Sequence, residues 1–341
     1  MRLAAIDLGT VTARLLIADV EGCGPESEPA CEPANGYTRG VHELERHMRI
    51  THLGEGLYDT GRISAAAIER ERAACAAFLE TIRAVGQRGE RPVERVLAVA
   101  TSAMREATNS DEVLDALSSL GLAVEVIPGA REAQLSFLGT VSGFAASGAL
   151  AGQTVLTVDV GGGSTELICG HVEDGRIEDL HAESHLAAHI LKQHSFLIGC
   201  RRVTDRFLGS DPPSPHELAR AGLWLRDEMR GYFDALSQWP SIALAVAGTA
   251  TTVVSVRDAM GEYDPARVHG AKVSAAELDE VLGRLAALPL ARRLGQIGLE
   301  PERASVIIGG LLVLQAVLEL ADLEHFTVSE TDILHGILLA A

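Results

Sequence analysis

Apolar positions along the chain follow two patterns, one typical of strands and one typical of helices. Short apolar runs bounded by small or polar residues, such as RLAAIDL near the N-terminus and TVLTVDV near the middle, have the length and composition of buried strands. Longer segments, such as SAAAIERERAACAAFLETIRAVG, place apolar residues at helical spacing behind a serine that can cap the helix. The two kinds of segment alternate throughout the chain, which predicts an α/β protein.

Two of the strand-like segments echo each other. Residues 6–12 (IDLGTVT) align without a gap over residues 158–164 (VDVGGGS), and residues 15–16 then lie over residues 167–168. Each copy has an apolar run that ends in an acid, a turn of small residues and a second apolar run. We interpret the pair as a duplicated β-hairpin, one in each of two domains, and a length of 341 residues is consistent with two domains.

The residues that follow the glycines of the second copy decide what kind of loop it is. A dinucleotide-binding loop or a Walker loop opens a helix, whereas TELICGHV, the segment after GGGS, has the pattern of a strand. Glycines let a backbone approach an anion closely, and consecutive N–H groups can point at phosphate oxygens. Two such hairpins facing each other across a cleft could clamp a polyphosphate, and the acids before the turns could hold a divalent cation.

The charge of the chain limits its partners. The formal net charge is −18, from 47 acidic and 29 basic residues. A nucleic-acid-binding module is expected to carry the opposite sign, so we expect no nucleic-acid partner. Because Lys192 and Lys272 are the only lysines, phosphate contacts would fall mainly to arginine side chains and backbone N–H groups. No apolar run reaches about 18 residues, so we expect no membrane span.

Cysteine and histidine usage adds little chemistry. Five cysteines at wide spacing, without a CxxC pair, favour reduced thiols in a cytoplasmic protein over a disulfide framework or a zinc site. The N-terminal apolar run is interrupted too early for a signal peptide. Residues 21–40 are rich in Pro, Gly, Glu and Ser and predict a surface loop. His181, His185 and His189 lie four apart, a spacing that can bind a metal ion, but we expect a packed or solvated row and not a metal site.

Ten segments occur along the chain in an order that resembles a known family. They are DLGTVTARLLIAD, LGEGLYDTGRIS, TSAMREATN, VEVIPGAREAQLSFLG, DVGGGSTEL, HSFLIGCRRVTDRFL, AGTATT, DPARVHG, GLEPERASVIIGG and TVSETDILHGIL. Together they resemble the exopolyphosphatase / guanosine pentaphosphate phosphohydrolase (Ppx/GppA) family, in its short two-domain type. The resemblance runs from near residue 2 to near residue 339.

The resemblance implies a fold. The family has an α/β fold of two ribonuclease-H-like domains, in the group of actin, sugar kinases and heat-shock chaperones, with the active site in the interdomain cleft. We therefore place an N-terminal domain with the first phosphate loop at residues 1–130 and a C-terminal domain with the second loop at residues 131–341. We expect that the last helix can pack back on the first domain.

The resemblance also implies an activity. The family hydrolyses a terminal phosphoanhydride and releases orthophosphate, with Mg²⁺ or Mn²⁺ as cofactor. An exopolyphosphatase acting on inorganic polyphosphate is the leading hypothesis, and hydrolysis of guanosine pentaphosphate to the tetraphosphate is the alternative. A hypothesis of another class is a polyphosphate or alarmone binding protein with little turnover. A homodimer is compatible with the family.

Individual residues receive roles from the same resemblance. Glu132 matches the family's catalytic base, and Arg105 matches its phosphate-contacting arginine. Asp159 and Glu166 match the acids linked to metal binding and catalysis, and Asp7 is a further metal candidate. The predicted phosphate-binding residues are Gly9, Thr10, Thr12, Gly161, Gly162, Gly163, Ser164, Gly248 and Thr249.

Six residues depart from the family's usual motifs without removing any of these acids. They are Val11, His52, Arg131, Ser305, Asp332 and His335. Each can tune affinity for a chain substrate against a nucleotide. Without the resemblance, Asp7 and Asp159 could be ordinary turn residues, Glu132 a first-turn acid favoured by the helix dipole, and residues 248–249 a simple turn between strand and helix.

Overall fold

The described part of the chain forms two compact units in a computed structural model. The described residues are 1–20, 40–88, 91–144, 147–172 and 190–341. Among them, the first unit comprises residues up to Leu150 together with Thr331–Ala341, and the second comprises residues 151–172 and 190–330. The histidines at 181, 185 and 189, and all of the 21–40 segment except Gly40, lie outside the described residues.

The first unit contains a five-stranded mixed sheet. Its strands are β1 (Arg2–Leu8), β2 (Thr12–Val20), β3 (Val41–Ile50), β4 (Arg95–Ala100) and β5 (Val124–Val126). The strand order is β3-β2-β1-β4-β5, with β1 to β3 antiparallel and with β4 and β5 running parallel to β1. Its helices are α1 (Leu57–Thr60), α2 (Ala65–Arg88), α3 (Ser102–Glu106), α4 (Ser110–Ser118), α5 (Gly129–Ser142) and α13 (Ile333–Leu339).

The second unit contains a six-stranded mixed sheet. Its strands are β6 (Gln153–Val160), β7 (Thr165–Val172), β8 (Ile190–Phe196), β9 (Ile242–Val246), β10 (Lys272–Ser274) and β11 (His325–Val328), in the order β10-β11-β9-β6-β7-β8. Its helices are α6 (Cys200–Phe207), α7 (Pro215–Asp234), α8 (Ala247–Arg257), α9 (Pro265–Val268), α10 (Ala275–Ala286), α11 (Leu290–Arg293) and α12 (Ile307–Ala321), with a 3₁₀ turn at Pro301–Arg303.

The two sheets share one topology. Read as β8-β7-β6-β9-β11, the second sheet repeats the order of the first, and β10 is added antiparallel at the edge beside β11. Each sheet therefore starts with an antiparallel hairpin, followed by strands parallel to the first strand of that hairpin. This confirms the predicted α/β class with two ribonuclease-H-like domains.

Helices cover both faces of the first sheet, which explains why β1 is apolar throughout. Alternate residues of β1, among them Ile6, pack on one face with Phe78 of α2. The intervening residues, among them Leu3, pack on the other face with Leu135 of α5 and Leu334 of α13. In the second unit α12 is buried on almost all sides, as its apolar composition predicts.

The unit boundary lies after Leu150, whereas the sequence placed it after residue 130. Helix α5 belongs to the first unit because its buried face packs against the sheet and against α13, which comes from the far end of the chain. Among the described residues no helix has both the length and the apolar character that crossing a membrane requires.

Candidate active site

The first hairpin presents Asp7 and a turn that is fixed from one side. The N–H of Gly9 donates to the carbonyl of Thr12 at 2.9 Å and closes the turn. The carbonyls of Thr10 and Val11 accept from N–H groups of the segment after β3, each at 2.9 Å. In a trans peptide the following N–H points opposite to its carbonyl, so the N–H groups of Val11 and Thr12 point away from that segment.

The close approach of the segment after β3 requires a glycine. A Cβ atom built on Gly54 would overlap the side chain of Thr10. The N–H of Gly54 is one of the donors to the turn, at 2.9 Å from the carbonyl oxygen of Thr10. The LGEG segment quoted above therefore supports the first turn from behind and shapes the predicted phosphate loop.

An arginine neutralises the acid of the first hairpin. Asp7 lies directly opposite Arg14 in the register of β1 and β2. Nε and Nη2 of Arg14 donate to Oδ2 of Asp7 at 3.0 and 2.5 Å, and Nη1 donates to Oδ2 of Asp332 at 2.5 Å. Burial raises the pKa of Asp7, and Arg14 opposes that rise. Sequence reasoning missed Arg14, although it occupies the position in the first hairpin that Glu166 occupies in the second.

The predicted base and the predicted phosphate-binding arginine lie in contact. Nη1 of Arg105, in α3, donates to Oε2 of Glu132 at 2.6 Å and to the carbonyl of Ile127 at 3.1 Å. Glu132 stands in the first turn of α5, where the helix dipole favours a negative charge, and is only 8% exposed. The ion pair fixes the orientation of the carboxylate relative to a guanidinium that can also bind phosphate oxygens.

The second hairpin places two acids opposite each other. Asp159 and Glu166 are register partners across β6 and β7, and both are buried. Side chains of residues directly opposite in an antiparallel pair share one face of the sheet, with Cβ atoms about 4.5–5.5 Å apart. Oγ of Ser195, on β8, donates to Oε1 of Glu166 at 2.7 Å. The sequence-predicted metal candidates of this unit therefore lie side by side.

The glycine turn of the second hairpin is held by the start of α6. The N–H of Gly161 donates to the carbonyl of Ser164 at 3.0 Å, as Gly9 does in the first turn. The carbonyls of Gly161 and Gly162 accept from Cys200 and Arg201, both at 2.9 Å. The N–H groups that follow those carbonyls therefore point away from α6, as a phosphate-binding turn requires.

The contact between this turn and α6 is a backbone contact. A Cβ atom on Gly199 would overlap the backbone of Gly162 and Gly163. Nε of Arg202, in α6, lies 3.3 Å from the carbonyl of Gly163. Sequence reasoning did not single out Arg202, although it lies in a segment quoted for the resemblance. Because the chain has few lysines, each arginine in such a segment was a candidate for phosphate binding.

The third turn lies at the start of α8. Gly248 and Thr249 form its first turn, and Oγ1 of Thr249 donates to the carbonyl of Val160 at 3.2 Å. A Cβ atom on Gly248 would overlap the guanidinium of Arg303. The structure thus brings the third turn beside the end of β6 and adds a buried arginine that sequence reasoning missed.

The acidic side chains of the two hairpins suit a magnesium ion that binds together with a phosphate substrate. Among the described residues no three His, Cys, Asp or Glu side chains form a metal-binding cluster. Mg²⁺ usually takes one or two carboxylates and completes its shell with phosphate oxygens and water. The opposed pair Asp159 and Glu166 meets that requirement. Asp7 also has a buried oxygen, Oδ1, that accepts no hydrogen bond from any described residue.

The described cysteines are poorly suited to act as the nucleophile. The three described cysteines, Cys75, Cys169 and Cys200, are buried free thiols. Burial raises the pKa of Cys169 and of Cys200 to about 11, which keeps both protonated near neutral pH. Activation of water by a carboxylate agrees better with this site.

Comparison with known proteins gives a consistent result. Residues 34–341 match the model of the Ppx/GppA phosphatase family. The chain is 36% identical to Exopolyphosphatase 2 of Mycobacterium tuberculosis, over 99% of this chain and 98% of that protein. It is 26% identical to the guanosine-5'-triphosphate,3'-diphosphate pyrophosphatase of Aeromonas salmonicida, of which it covers 58%. The crystal structure of an exopolyphosphatase-like protein matches 99% of this chain with a TM-score of 0.82 and 31% identity, and 96% of that structure is covered.

Proposed function

Because this chain belongs to the Ppx/GppA phosphatase family, we propose that it hydrolyses the terminal phosphoanhydride of inorganic polyphosphate and releases orthophosphate. The observation that carries the proposal is the ion pair between Glu132 and Arg105, which joins a buried carboxylate to the arginine that we assign to phosphate binding. The identity of 36% to an exopolyphosphatase over nearly the whole of both chains supports polyphosphate as the substrate.

The residues divide the reaction among them. Glu132 accepts a proton from the attacking water, a role worth roughly 10²- to 10⁴-fold in rate for a positioned base. The water oxygen forms a bond to the terminal phosphorus, and the bridging oxygen leaves with the shortened chain. Arg105 binds two oxygens of the phosphoryl group at once, because its planar guanidinium presents N–H donors side by side.

The turns and acids neutralise phosphate charge. The N–H groups of the two hairpin turns and of the third turn bind phosphate oxygens. Asp159 and Glu166 would hold Mg²⁺ or Mn²⁺, which supplies charge neutralisation at the anhydride. Asp7 contributes the equivalent acid of the first hairpin, with Arg14 fixing its position.

Phosphate release from long-chain polyphosphate with Mg²⁺ tests the proposal. Wild-type protein should release orthophosphate, and Glu132→Ala should lower the rate by roughly 10²- to 10⁴-fold because the water loses its base. Glu125→Ala, which changes an exposed acid on β5, is the matched control and should keep the wild-type rate. Absence of release, or an unchanged rate in Glu132→Ala, would contradict the proposal.

The same assay distinguishes the remaining hypotheses. A higher kcat/KM on guanosine pentaphosphate than on polyphosphate would favour the activity named for the Aeromonas relative. Tight polyphosphate binding with release no faster than that of Glu132→Ala would favour a binding protein. Chelation followed by addition of Mg²⁺ or Mn²⁺ tests the cofactor.

The proposed setting is cytoplasmic, which suits the free thiols of Cys75, Cys169 and Cys200. A homodimer is part of the proposal. Its test is the molar mass of the purified protein in solution by light scattering.

A further inference from the structure

We propose that Asp332 is a positioning residue: through Arg14 it fixes Asp7, and through α13 it ties Asp7 to the helix that carries Glu132. The inference rests on the proposed function, because it assigns Asp332 to the same reaction. All of the residues involved lie in the first unit. The first step of the argument is the ion-pair bridge.

One guanidinium holds two buried carboxylates. Arg14 donates to Asp7 with Nε and Nη2, and to Asp332 with Nη1. The side chains of Asp7 and Asp332 are 5% and 3% exposed, so the contacts are shielded from water. The planar fork fixes the separation and the angle of the two carboxylates, which a lysine ammonium could not do.

Asp332 is itself held from several sides. It is the N-cap of α13, where its Oδ1 accepts from the N–H of Leu334 at 3.0 Å. Arg46 of β3 contacts its Oδ2 at 3.3 Å. Burial alone would raise the pKa of Asp332, but Arg14 lowers it below its usual range, and Arg46 lowers it further. Asp332 therefore stays charged and keeps its hold on Arg14.

A second contact fastens the same helix to the sheet. Nδ1 of His335 accepts from the N–H of Asp332 at 3.3 Å, and Nε2 of His335 lies 2.7 Å from Oε1 of Glu43 on β3. The start of α13 is thus bound to β2 through Arg14 and to β3 through Arg46 and Glu43. It has little freedom to shift along the hairpin that ends in the first turn.

Helix α13 is also in backbone contact with α5. A Cβ atom on Gly139 would overlap the carbonyl of Asp332, and a Cβ atom on Gly336 would overlap the carbonyl of Leu135. Glu132 lies two helical turns before Gly139 on α5, and a helix transmits position rigidly over that distance. Asp332 therefore meets Asp7 through its side chain and the helix of Glu132 through its backbone.

Asp332→Asn tests the role with a minimal change. Asparagine keeps the side-chain shape and caps helices well, so α13 should remain folded, but Arg14 loses a charged partner. We expect kcat for phosphate release to fall roughly 10- to 100-fold with KM within about twofold, because misplaced reacting groups slow chemistry more than binding. Asp115→Asn, on the exposed face of α4, should keep the wild-type kcat.

A double-mutant cycle separates positioning from general stability. If Asp332 acts through Asp7, then Asp332→Asn should have little further effect on kcat once Asp7→Asn is present. The same fold-loss in both backgrounds would overturn the inference. Arg14→Lys, which keeps the charge and loses the fork, should reproduce the loss of kcat if Asp332→Asn does not fold, and a wild-type kcat in that variant would also overturn it.

A structural comparison keeps this inference distinct from the proposed function. If the wild-type protein releases no phosphate, the proposed function fails, and crystal structures of wild-type and Asp332→Asn protein then decide the positioning role. We expect the Asp7 carboxylate and the Arg14 guanidinium to move relative to Glu132. Unmoved side chains would overturn the inference.

Discussion

The hairpins β1–β2 and β6–β7 share their register and the closure of their turns, but they differ in the charge of the residue that faces the acid. Both run from an acid through a turn closed by a glycine N–H, and both pair that acid with the residue seven positions later. That partner is Arg14 in the first hairpin and Glu166 in the second. The first acid faces an arginine across its hairpin, whereas the second faces another acid, and such a pair of acids suits a cation.

The supports of the two turns differ as well. The first turn is held by a segment that follows a strand, and the close approach there is to the side chain of Thr10. The second turn is held by the N-terminus of α6, and the close approach is backbone against backbone at Gly199. A duplicated element can thus keep its geometry while the contacts that support its two copies differ.

Removal of the arginine should produce the largest effect. Arg14→Met leaves Asp7 and Asp332 buried without their shared partner, and such a loss typically costs about 3–5 kcal/mol. We expect a decrease of that size in the free energy of unfolding, measured by urea denaturation. A decrease below about 1 kcal/mol would show that the first hairpin does not depend on its ion pair.

A buried acid near the first hairpin should make stability depend on pH. Burial raises the pKa of Glu71, on α2, from 4.5 to about 7, and the charge of Asp7 contributes to the rise. Between those pH values the folded protein keeps a proton that the unfolded chain has released, so stability falls as the pH rises through that window. The shift corresponds to about 3 kcal/mol.

Glu71→Gln should remove that dependence. The unfolding free energy of each protein is measured at pH 4.5 and at pH 7.5. The decrease between these two pH values should be about 3 kcal/mol smaller in Glu71→Gln than in wild type. Because both proteins share every other titrating group, including His335, the difference isolates Glu71. Parallel curves for the two proteins would contradict the expected titration.

Glu166→Gln should separate activity from stability in the second hairpin. Removal of one of two opposed acids relieves like-charge repulsion, so we expect unfolding free energy to stay within about 1 kcal/mol of wild type. Phosphate release should fall roughly 100-fold, with a higher Mg²⁺ concentration needed for half-maximal rate. Ser195→Ala, which removes only the hydroxyl donor to Glu166, should have the milder effect. A strongly destabilised Glu166→Gln would show that the second hairpin, like the first, depends on its facing charged residue for stability, and would contradict this expectation.

The glycines that pack behind the two turns, Gly54 and Gly199, should show the smallest difference between the hairpins, and it concerns stability. Gly199→Ala forces backbone apart and should cost about 1–3 kcal/mol, with no single compensating change. Gly54→Ala meets the Thr10 methyl, so Thr10→Ser should restore most of its stability. Thermal unfolding of the two single variants and the double variant measures this, and failure of Thr10→Ser to rescue would refute the side-chain explanation.

The sequence predicted the local structure well because its signals are local. The apolar runs and the strand-like segment after GGGS predicted both hairpins, and the structure adds their register. The family resemblance named Arg105 and Glu132, and the structure places them in contact. Arg14 escaped notice because its importance depends on facing Asp7 across the hairpin, and Arg303 because only tertiary packing brings it to Gly248. The position of α5 also depends on its contact with α13, at the far end of the chain.

The bridge between Arg14 and Asp332 joins residues 318 positions apart. During synthesis, the strand that carries Arg14 leaves the ribosome long before its partner exists. At about 5–20 residues per second, the acid of the first hairpin waits roughly 16 to 65 seconds for the segment that fixes it. The N-terminal hairpin is thus the first part of the site to be translated, and it reaches its final geometry only when translation has passed Asp332.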